Sequence, residues 1–265
     1  MRSPLIDISS DGHVHTRLCN HAAGEMHEYV EKAIGKGLGT ITFLEHLETA
    51  ICYQPRTWLE EEDFDYYFQE GTRLRERYRD CIDIRLGVET GYNPLAVEAI
   101  QENLRQYPWD HIGLSCHFFH HQGTDFNLLS HRQEKLAPLA AIGIDNVITS
   151  YFDALIEAVD SIECDVLCHL DAVLRHYPGI AFNAFHDDQV EILLNRLQHN
   201  DIALEINTSG IDYRGTPFPA SWIIAKAMTR GIRLCAGSDA HHPDQVGRHF
   251  TQLPAYLLGI AEENI

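Results

Sequence analysis

Seven short apolar runs, separated by longer stretches with helical spacing, constrain the fold of this chain most strongly. The runs are apolar nearly throughout rather than alternating, which is typical of parallel strands covered on both faces. They are LIDIS (5–9), TITFL (40–44), IRLGVE (84–89), HIGLSCHF (111–118), DVLCHL (165–170), IALEINTS (202–209) and IRLCAGSD (232–239). The pattern predicts an α/β fold built on a parallel sheet.

The stretches between these runs carry helix patterns. In residues 61–80, acids occupy the first turn and arginines the last, the order that the helix dipole favours. The other predicted helices cover 24–37, 94–106, 132–142, 145–162, 187–199 and 219–230, with a closing helix in 244–265. Seven strands with intervening helices favour one β/α barrel over two domains, although an open doubly wound sheet would show the same alternation.

Composition narrows the classes of function. The net charge of −19 argues against a basic surface for nucleic acid or anionic membrane, and no apolar run reaches the roughly 18 residues of a membrane span. A small phosphorylated partner remains compatible if metal ions supply local positive charge. The seven cysteines are scattered without a C-x-x-C pair, and the N-terminus lacks a secretory apolar segment, so we expect a cytoplasmic protein with reduced thiols. The oligomeric state is left open.

Histidines and carboxylates follow six of the seven predicted strands. In β/α folds, chemistry gathers at the carboxyl ends of the strands, so these side chains are expected to meet. They are His13, His15, His46, Glu89, His117, His169, Asp239 and His241. The chain has 17 histidines, but chance abundance would not place them at corresponding ends of successive strands.

Spacing supports the same interpretation. Residues two apart on a strand project to one side, so His13 and His15 are expected to point together, as are Asp239 and His241. A mixed nitrogen and oxygen donor set suits a catalytic metal better than a closed structural zinc site. Cys116 and Cys168 each precede a candidate histidine and are therefore expected to face the other way.

The ordered motifs DGHVH, EH, GVE, SCH, CHLD and SDAH resemble those of the PHP (polymerase and histidinol phosphatase) superfamily. The segments from CNHAAGEMHEYVEK to FLEH, LEINTSG and AGSDAHHPDQVG are most similar to its histidinol-phosphatase branch. The resemblance implies a distorted seven-stranded, TIM-like (β/α)7 barrel, with residues 1–265 as one PHP-type phosphoesterase domain. It also implies a centre of three divalent metal ions, which could be zinc, manganese or iron.

The resemblance further implies a set of ligands. One ion would be held by His13, His15, Glu89 and Asp239, a second by Glu89, His117 and His169, and a third by His21, His46 and His241. The chain departs from the family in having Glu45 where aspartate is common. Two further histidines, His120 and His121, have no counterpart and no assigned role.

The implied activity is hydrolysis of a phosphate monoester, with L-histidinol phosphate from histidine biosynthesis as the first substrate and a metal-activated hydroxide as the nucleophile. Glu89, Asp239 and Asp11 are the candidate catalytic residues, Asp11 by orienting a histidine ring. Glu205 and Asn207 could act similarly. The candidates for binding phosphate are Arg175, Arg214 and Arg17.

Two alternatives stay open at this point, and a third is disfavoured. The nearest is a PHP-type phosphoesterase for another small ester, such as a nucleotide, a sugar phosphate or phosphotyrosine. A second is a non-catalytic metal-binding domain that keeps the barrel. A proofreading domain associated with a polymerase is disfavoured by the acidic charge and by the absence of a polymerase module.

Overall fold

The computed structural model describes residues 5–177 and 179–263. Its strands are β1 (Ser10–Val14), β2 (Thr40–Glu48), β3 (Asp83–Gly91), β4 (Ile112–Ser115), β5 (Phe118–His121), β6 (Thr124–Asn127), β7 (Val166–Leu167), β8 (Ala203–Asn207) and β9 (Leu234–Gly237). Its helices are α1 (Met26–Gly35), α2 (Glu61–Tyr78), α3 (Val97–Arg105), α4 (Gln133–Leu136), α5 (Leu139–Ile142), α6 (Ile144–Ser161), α7 (Ala184–His199), α8 (Ser209–Arg214), α9 (Ser221–Thr229) and α10 (Leu253–Glu263).

Seven strands form one parallel sheet in the order β1-β2-β3-β4-β7-β8-β9. The order follows the sequence without a reversal, unlike the order in a doubly wound sheet. The two ends of the sheet meet where Val14 forms a parallel bridge with Ala240, and the His15 N–H donates to the Ala240 carbonyl at 2.9 Å. The prediction of a distorted seven-stranded β/α barrel in a single domain is confirmed.

The barrel interior is apolar below its polar end. Leu44, Val166, Cys168 and Ala203 form a small buried cluster there. The expectation for Cys168 was therefore wrong, because its side chain lies inside the barrel near His13 rather than facing outward. Strand β7 ends at Leu167, the residue before Cys168, and His169 has a φ of +25°. The strict alternation of side chains between the two faces of the strand therefore stops before Cys168. Cys116 does face the outer core, as expected.

Several predicted boundaries shift. The first strand forms at Ser10–Val14 instead of 5–9, because the Asp7 carboxylate accepts the Ser9 N–H at 2.8 Å in a local turn. Pro138, which has no N–H to donate, separates α4 from α5 where one helix over 132–142 was predicted. The closing helix is Leu253–Glu263, and residues 264–265 of that prediction lie outside the described part.

The β5–β6 hairpin and α8 were not predicted. Both lie in connections that follow barrel strands, where the sequence had indicated only loops. With respect to membranes, no single helix in residues 5–177 and 179–263 is long and apolar enough to cross a bilayer; the bent pair 133–142 and 144–161 meets that length and composition test only jointly.

Tyr67 connects helix α2 to the barrel wall. Its hydroxyl donates to the carbonyl of Gly87 at 2.8 Å and lies 3.2 Å from that of Phe43, and the side chain is fully buried. We expect Tyr67→Phe to lower the free energy of unfolding by about 1–2 kcal/mol, because the buried carbonyls lose a donor. Urea unfolding of the metal-free protein measures this. Tyr66→Phe, at an exposed position of the same helix, should change stability by less than about 0.5 kcal/mol; equal losses in the two variants would contradict the assignment.

Candidate metal centre

Nine histidines and carboxylates converge at the carboxyl end of the barrel. The sequence predicted each of them, and the structure brings them together from six barrel strands and the segments that follow these strands. They are His13, His15, His21, His46, Glu89, His117, His169, Asp239 and His241. All except His21 and His241 are buried.

Glu89 lies at the centre of this cluster on β3. Its Oε1 atom is 3.1 Å from Nε2 of His117 and 2.8 Å from Nε2 of His169. Its carboxylate is fully buried and reaches imidazoles that come from two other parts of the sheet. One oxygen of Glu89 thus defines one side of the site.

The other oxygen, Oε2, faces a second group of rings. It lies 3.4 Å from Nε2 of His13, 3.6 Å from Nε2 of His15 and 3.0 Å from Nδ1 of His46. The Nε2 atoms of His13 and His15 are 2.8 Å apart, so the two rings do point together. A single carboxylate therefore separates two sets of donors, which is the arrangement expected of a bridging ligand.

Asp239 extends the cluster toward the rim. Its Oδ1 atom is 3.5 Å from Nε2 of His15 and 3.4 Å from Nδ1 of His241. Nε2 of His241 lies 2.9 Å from Nε2 of His21, and the rings of His21 and His46 have centroids 5.1 Å apart. The i, i+2 expectation for Asp239 and His241 is met, and His21 joins them from the segment after β1.

The donor set fits a metal ion better than it fits a network of hydrogen bonds. Nδ1 of His46 and Oε2 of Glu89 face each other at 3.0 Å, yet both are buried without a hydrogen-bond partner in the described structure. Within the cluster, His13, His15 and Asp239 offer ligand atoms that all lie within 4.8 Å of one another, and so do His46, Glu89 and His117. Buried polar atoms without hydrogen-bond partners destabilise the folded protein, unless a bound cation interacts with them.

Electrostatics keep the carboxylates charged. Burial alone raises the pKa of Glu89, but His117, His13 and His46 outweigh it and hold the pKa well below its usual range. Burial likewise raises the pKa of Asp239, and a hydrogen bond from His15 with the nearby His241 reverses the effect. Both carboxylates are therefore anionic at neutral pH and available to a cation.

The histidines divide into two groups. Burial and neighbouring imidazoles lower the pKa of His21 to about 2, and burial lowers that of His241 to about 4, so both rings are neutral and able to ligate. Burial also lowers the pKa of His117, but Glu89 and Glu48 outweigh it and raise the pKa to about 10. The pKa of His13 is raised in the same way by Glu205 and Glu89 against the effect of burial.

Asp11 does not orient a histidine ring, and this detail of the prediction was wrong. Its carboxylate accepts backbone N–H groups of His13, Ser238 and Gly247 at 3.3, 3.0 and 2.7 Å. It therefore fastens the backbone of the first strand to the segment after the last strand. Asn207 does not reach a ring either, and donates to Glu205 at 3.0 Å.

Sequence reasoning missed Arg248. Its guanidinium donates to the carbonyls of Ser238 and Asp239 at 2.8 and 2.9 Å and to the Asp212 carboxylate at 2.9 Å. Asp239 has a φ of +50°, a backbone conformation that needs such support. No motif in the sequence marks this arginine, because its role appears only when the chain folds back over Asp239.

Of the three candidate arginines, only Arg175 borders the cavity above the cluster. It is nearly buried, its Nη1 lies 3.7 Å from Oδ2 of Asp239, and its Nε and Nη1 have no hydrogen-bond partner in the described structure. Arg214 instead forms a two-pronged pair with Asp171 at 3.0 and 3.2 Å. Arg17 is exposed and pairs with Glu25. Partners outside the cavity thus occupy both Arg214 and Arg17.

The cavity has a volume of about 420 Å³. Its floor is the histidine and carboxylate cluster, and Tyr53, Phe118, His131, Arg132 and Tyr213 contribute to its outer wall. This wall is aromatic and cationic, which suits a small phosphorylated molecule with a planar ring.

The two unassigned histidines lie on the β5–β6 hairpin outside the cavity lining. His120 pairs with Asp125 at 2.8 Å, and the ring of His121 stacks on Phe119 at a centroid distance of 5.9 Å. Asp125 also accepts the N–H of Cys52 at 2.7 Å, so His120 belongs to a contact between two loops.

Comparisons with known proteins agree with this geometry. The profile of the PHP domain matches residues 11–209, and a profile described as PHP-associated matches residues 224–258. The first match covers most of the barrel and most of the donor cluster. The chain belongs to the PHP domain family.

Two curated relatives are similar in sequence to this chain over most of their length. A protein of Deinococcus radiodurans named "Probable histidinol-phosphatase" is 28% identical over 91% of this chain and 89% of its own. The histidinol-phosphatase of Bacillus subtilis is 28% identical over 89% of this chain and 95% of its own. The fold is shared with histidinol phosphate phosphatase from Lactococcus lactis, solved with zinc, L-histidinol and phosphate, at a TM-score of 0.72 and 21% identity over 95% of this chain and 93% of that one.

The pKa pattern predicts that metal uptake releases protons. His117 and His13 hold protons at neutral pH in the metal-free protein, because their pKa values are raised, and a ligating imidazole must lose its proton. We expect zinc binding at pH 7.5 to release about two protons and to strengthen as pH rises. Calorimetry in buffers of different ionisation enthalpy measures the number. Binding enthalpies that do not depend on the buffer would contradict this prediction.

Proposed function

We propose that this protein is a metal-dependent phosphomonoesterase that hydrolyses L-histidinol phosphate to L-histidinol and phosphate. The observation that carries the proposal is the cluster of nine nitrogen- and oxygen-bearing side chains with Glu89 at its centre, in a cavity bordered by Arg175, whose Nε and Nη1 have no hydrogen-bond partner in the described structure. A cluster that can hold cations and an adjacent cationic side chain together suit a doubly charged phosphate group.

We propose that the donors hold three divalent ions, the number that the resemblance to the PHP family implies. His13, His15, Glu89 and Asp239 would hold the first ion, Glu89, His117 and His169 the second, and His21, His46 and His241 the third. Zinc, manganese and iron all accept imidazole and carboxylate ligands, and zinc is present in the Lactococcus lactis structure. Such ions supply Lewis acidity, which lowers the pKa of water toward about 7 and offsets the charge of the phosphoryl group.

The residues of the chain have distinct parts in this reaction. Glu89 and Asp239 stay anionic and fix the positions of the donors, so the charge of the site is set before substrate arrives. Arg175, which borders the cavity beside Asp239, binds the phosphate and orients it for in-line displacement. Asp11 contributes only by positioning the backbone, and neither Arg17 nor Arg214 is retained as a phosphate ligand.

The organic part of the substrate would occupy the outer wall. Tyr53 and Phe118 lie with ring centroids 5.2 Å apart and expose aromatic surface to the cavity. An imidazole ring can stack on such a surface, and the bound L-histidinol of the Lactococcus lactis structure is a molecule of this kind. Two named relatives are histidinol-phosphatases by name, which supports the same substrate.

We further infer that residues 1–265 act as one domain and that the protein works in a reducing compartment such as the cytoplasm. The cysteines of the described chain are all free, and none is paired as in secreted domains. The acidic net charge supports a small phosphorylated molecule, rather than nucleic acid, as the partner.

Turnover of L-histidinol phosphate is the direct test. We expect phosphate release from it to exceed release from a nucleotide, a sugar phosphate and phosphotyrosine, and to stop after the protein is treated with a chelator. Zinc or manganese added back should restore activity. Faster turnover of another ester would change the substrate, and full metal loading without hydrolysis of any ester would reject the enzyme.

Arg175→Gln tests the phosphate-binding role. We expect kcat/KM to fall about 10- to 100-fold, because charge-assisted hydrogen bonds to the phosphate are lost. Metal content should not change, since Arg175 is not a ligand. Arg105→Gln, at an exposed position on α3, is the matched control. Unchanged kinetics in Arg175→Gln would mean that the phosphate lies elsewhere in the cavity.

A further inference from the structure

Two glutamates outside the nine-donor set, whose side chains are buried, lie behind histidines of the site. Nδ1 of His117 is 2.6 Å from Oε1 of Glu48 on β2, and Nδ1 of His13 is 2.6 Å from Oε1 of Glu205 on β8. The Nε2 atoms of the same rings face Glu89, at 3.1 and 3.4 Å. Each ring is therefore held between a carboxylate behind it and the carboxylate at the centre of the site.

A glycine on the neighbouring strand makes room for each of these glutamates. Gly91 is the direct partner of Glu48 in the β2–β3 register, so both face the barrel interior. A Cβ atom at position 91 would overlap the Glu48 carboxylate, and one at position 237 would overlap Oε1 of Glu205. The close approach of the carboxylate therefore requires glycine at both positions.

The two glutamates differ in how far their contacts extend. Oε2 of Glu205 also accepts the backbone N–H of His169 at 2.8 Å. His169 faces Oε1 of Glu89, whereas His13 faces Oε2, so Glu205 supports donors on both sides of the central carboxylate. Glu48 supports the ring of His117, which lies on the Oε1 side alone.

The geometry points to two pairs of positioning residues, Glu48 with Gly91 and Glu205 with Gly237. The pairs differ in the number of ions whose binding they support. The first pair sets the affinity for an ion on the Oε1 side of Glu89, and the second sets the affinity for ions on both sides. A carboxylate behind a ligating histidine fixes the tautomer and orientation of the ring and raises its basicity. This inference rests on the proposed metal centre and is independent of which ester is hydrolysed.

Zinc binding to the metal-free protein tests the inequality between the pairs. Glu48→Gln keeps the shape of the side chain, and we expect it to weaken the binding of one ion about 10- to 100-fold while the other ions bind as in the parent. Glu205→Gln should weaken two ions. Competition with a chromophoric chelator gives the affinities, and elemental analysis gives the stoichiometry. Glu98→Gln, an exposed glutamate on α3, is the matched control.

Double substitution tests the role of the glycines. Gly91→Ala should weaken the binding of one ion as much as Glu48→Gln does, because the added methyl group displaces the Glu48 carboxylate. In a Glu48→Ala background it should cause no additional loss, because the methyl group then fills vacated space. Gly259→Ala on α10, where a Cβ atom meets nothing within 4 Å, is the matched control.

Three results would overturn the inference: parent-like affinity for every ion in Glu48→Gln, loss of a single ion in Glu205→Gln, or additive losses in the Glu48→Ala, Gly91→Ala cycle. Circular dichroism and thermal unfolding of the metal-free variants show whether each one folds. If Gly91→Ala does not fold, the two Glu→Gln variants decide. A parent protein that takes up no zinc would instead refute the proposed metal centre, whereas the variants compare affinities within it.

Discussion

The burial of the Glu89 carboxylate is the constraint on which the site depends. A carboxylate removed from water must be compensated, and here the compensation comes from imidazoles on both of its oxygens. Those imidazoles have in turn to be positioned from strands on either side of β3. The closed parallel barrel meets this demand, because it brings the carboxyl ends of all its strands to one rim.

Much of this arrangement follows from the sequence. The number of barrel strands follows from the apolar runs, although the strand order does not, and the residues at the ends of those runs include His46 and His117 of the cluster. Long, strongly patterned helices such as α2 and α6 were placed within a few residues. The resemblance to the PHP family added His21, which lies outside any strand and has no periodicity to mark it.

Other features depended on contacts that sequence patterns do not encode. Glu48 looks like an ordinary polar residue after an apolar strand, and only the longer extent of β2 turns it toward His117. Cys168 was assigned to the wrong face because alternation was extended past the end of β7. Among the arginines, spacing alone could not separate Arg175 from Arg214, since what distinguishes them is the carboxylate of Asp171.

The metal-ligand cluster spans the seam where the two ends of the sheet meet, between β1 and the segment after β9. His15 lies on one side of that seam and His241 on the other, with ring centroids 4.5 Å apart. The backbone at the seam is joined by few hydrogen bonds compared with the long β2–β3 ladder. A cation bound by residues on both sides of the seam would hold the two ends of the sheet together. Metal binding would then also stabilise the closed form of the barrel.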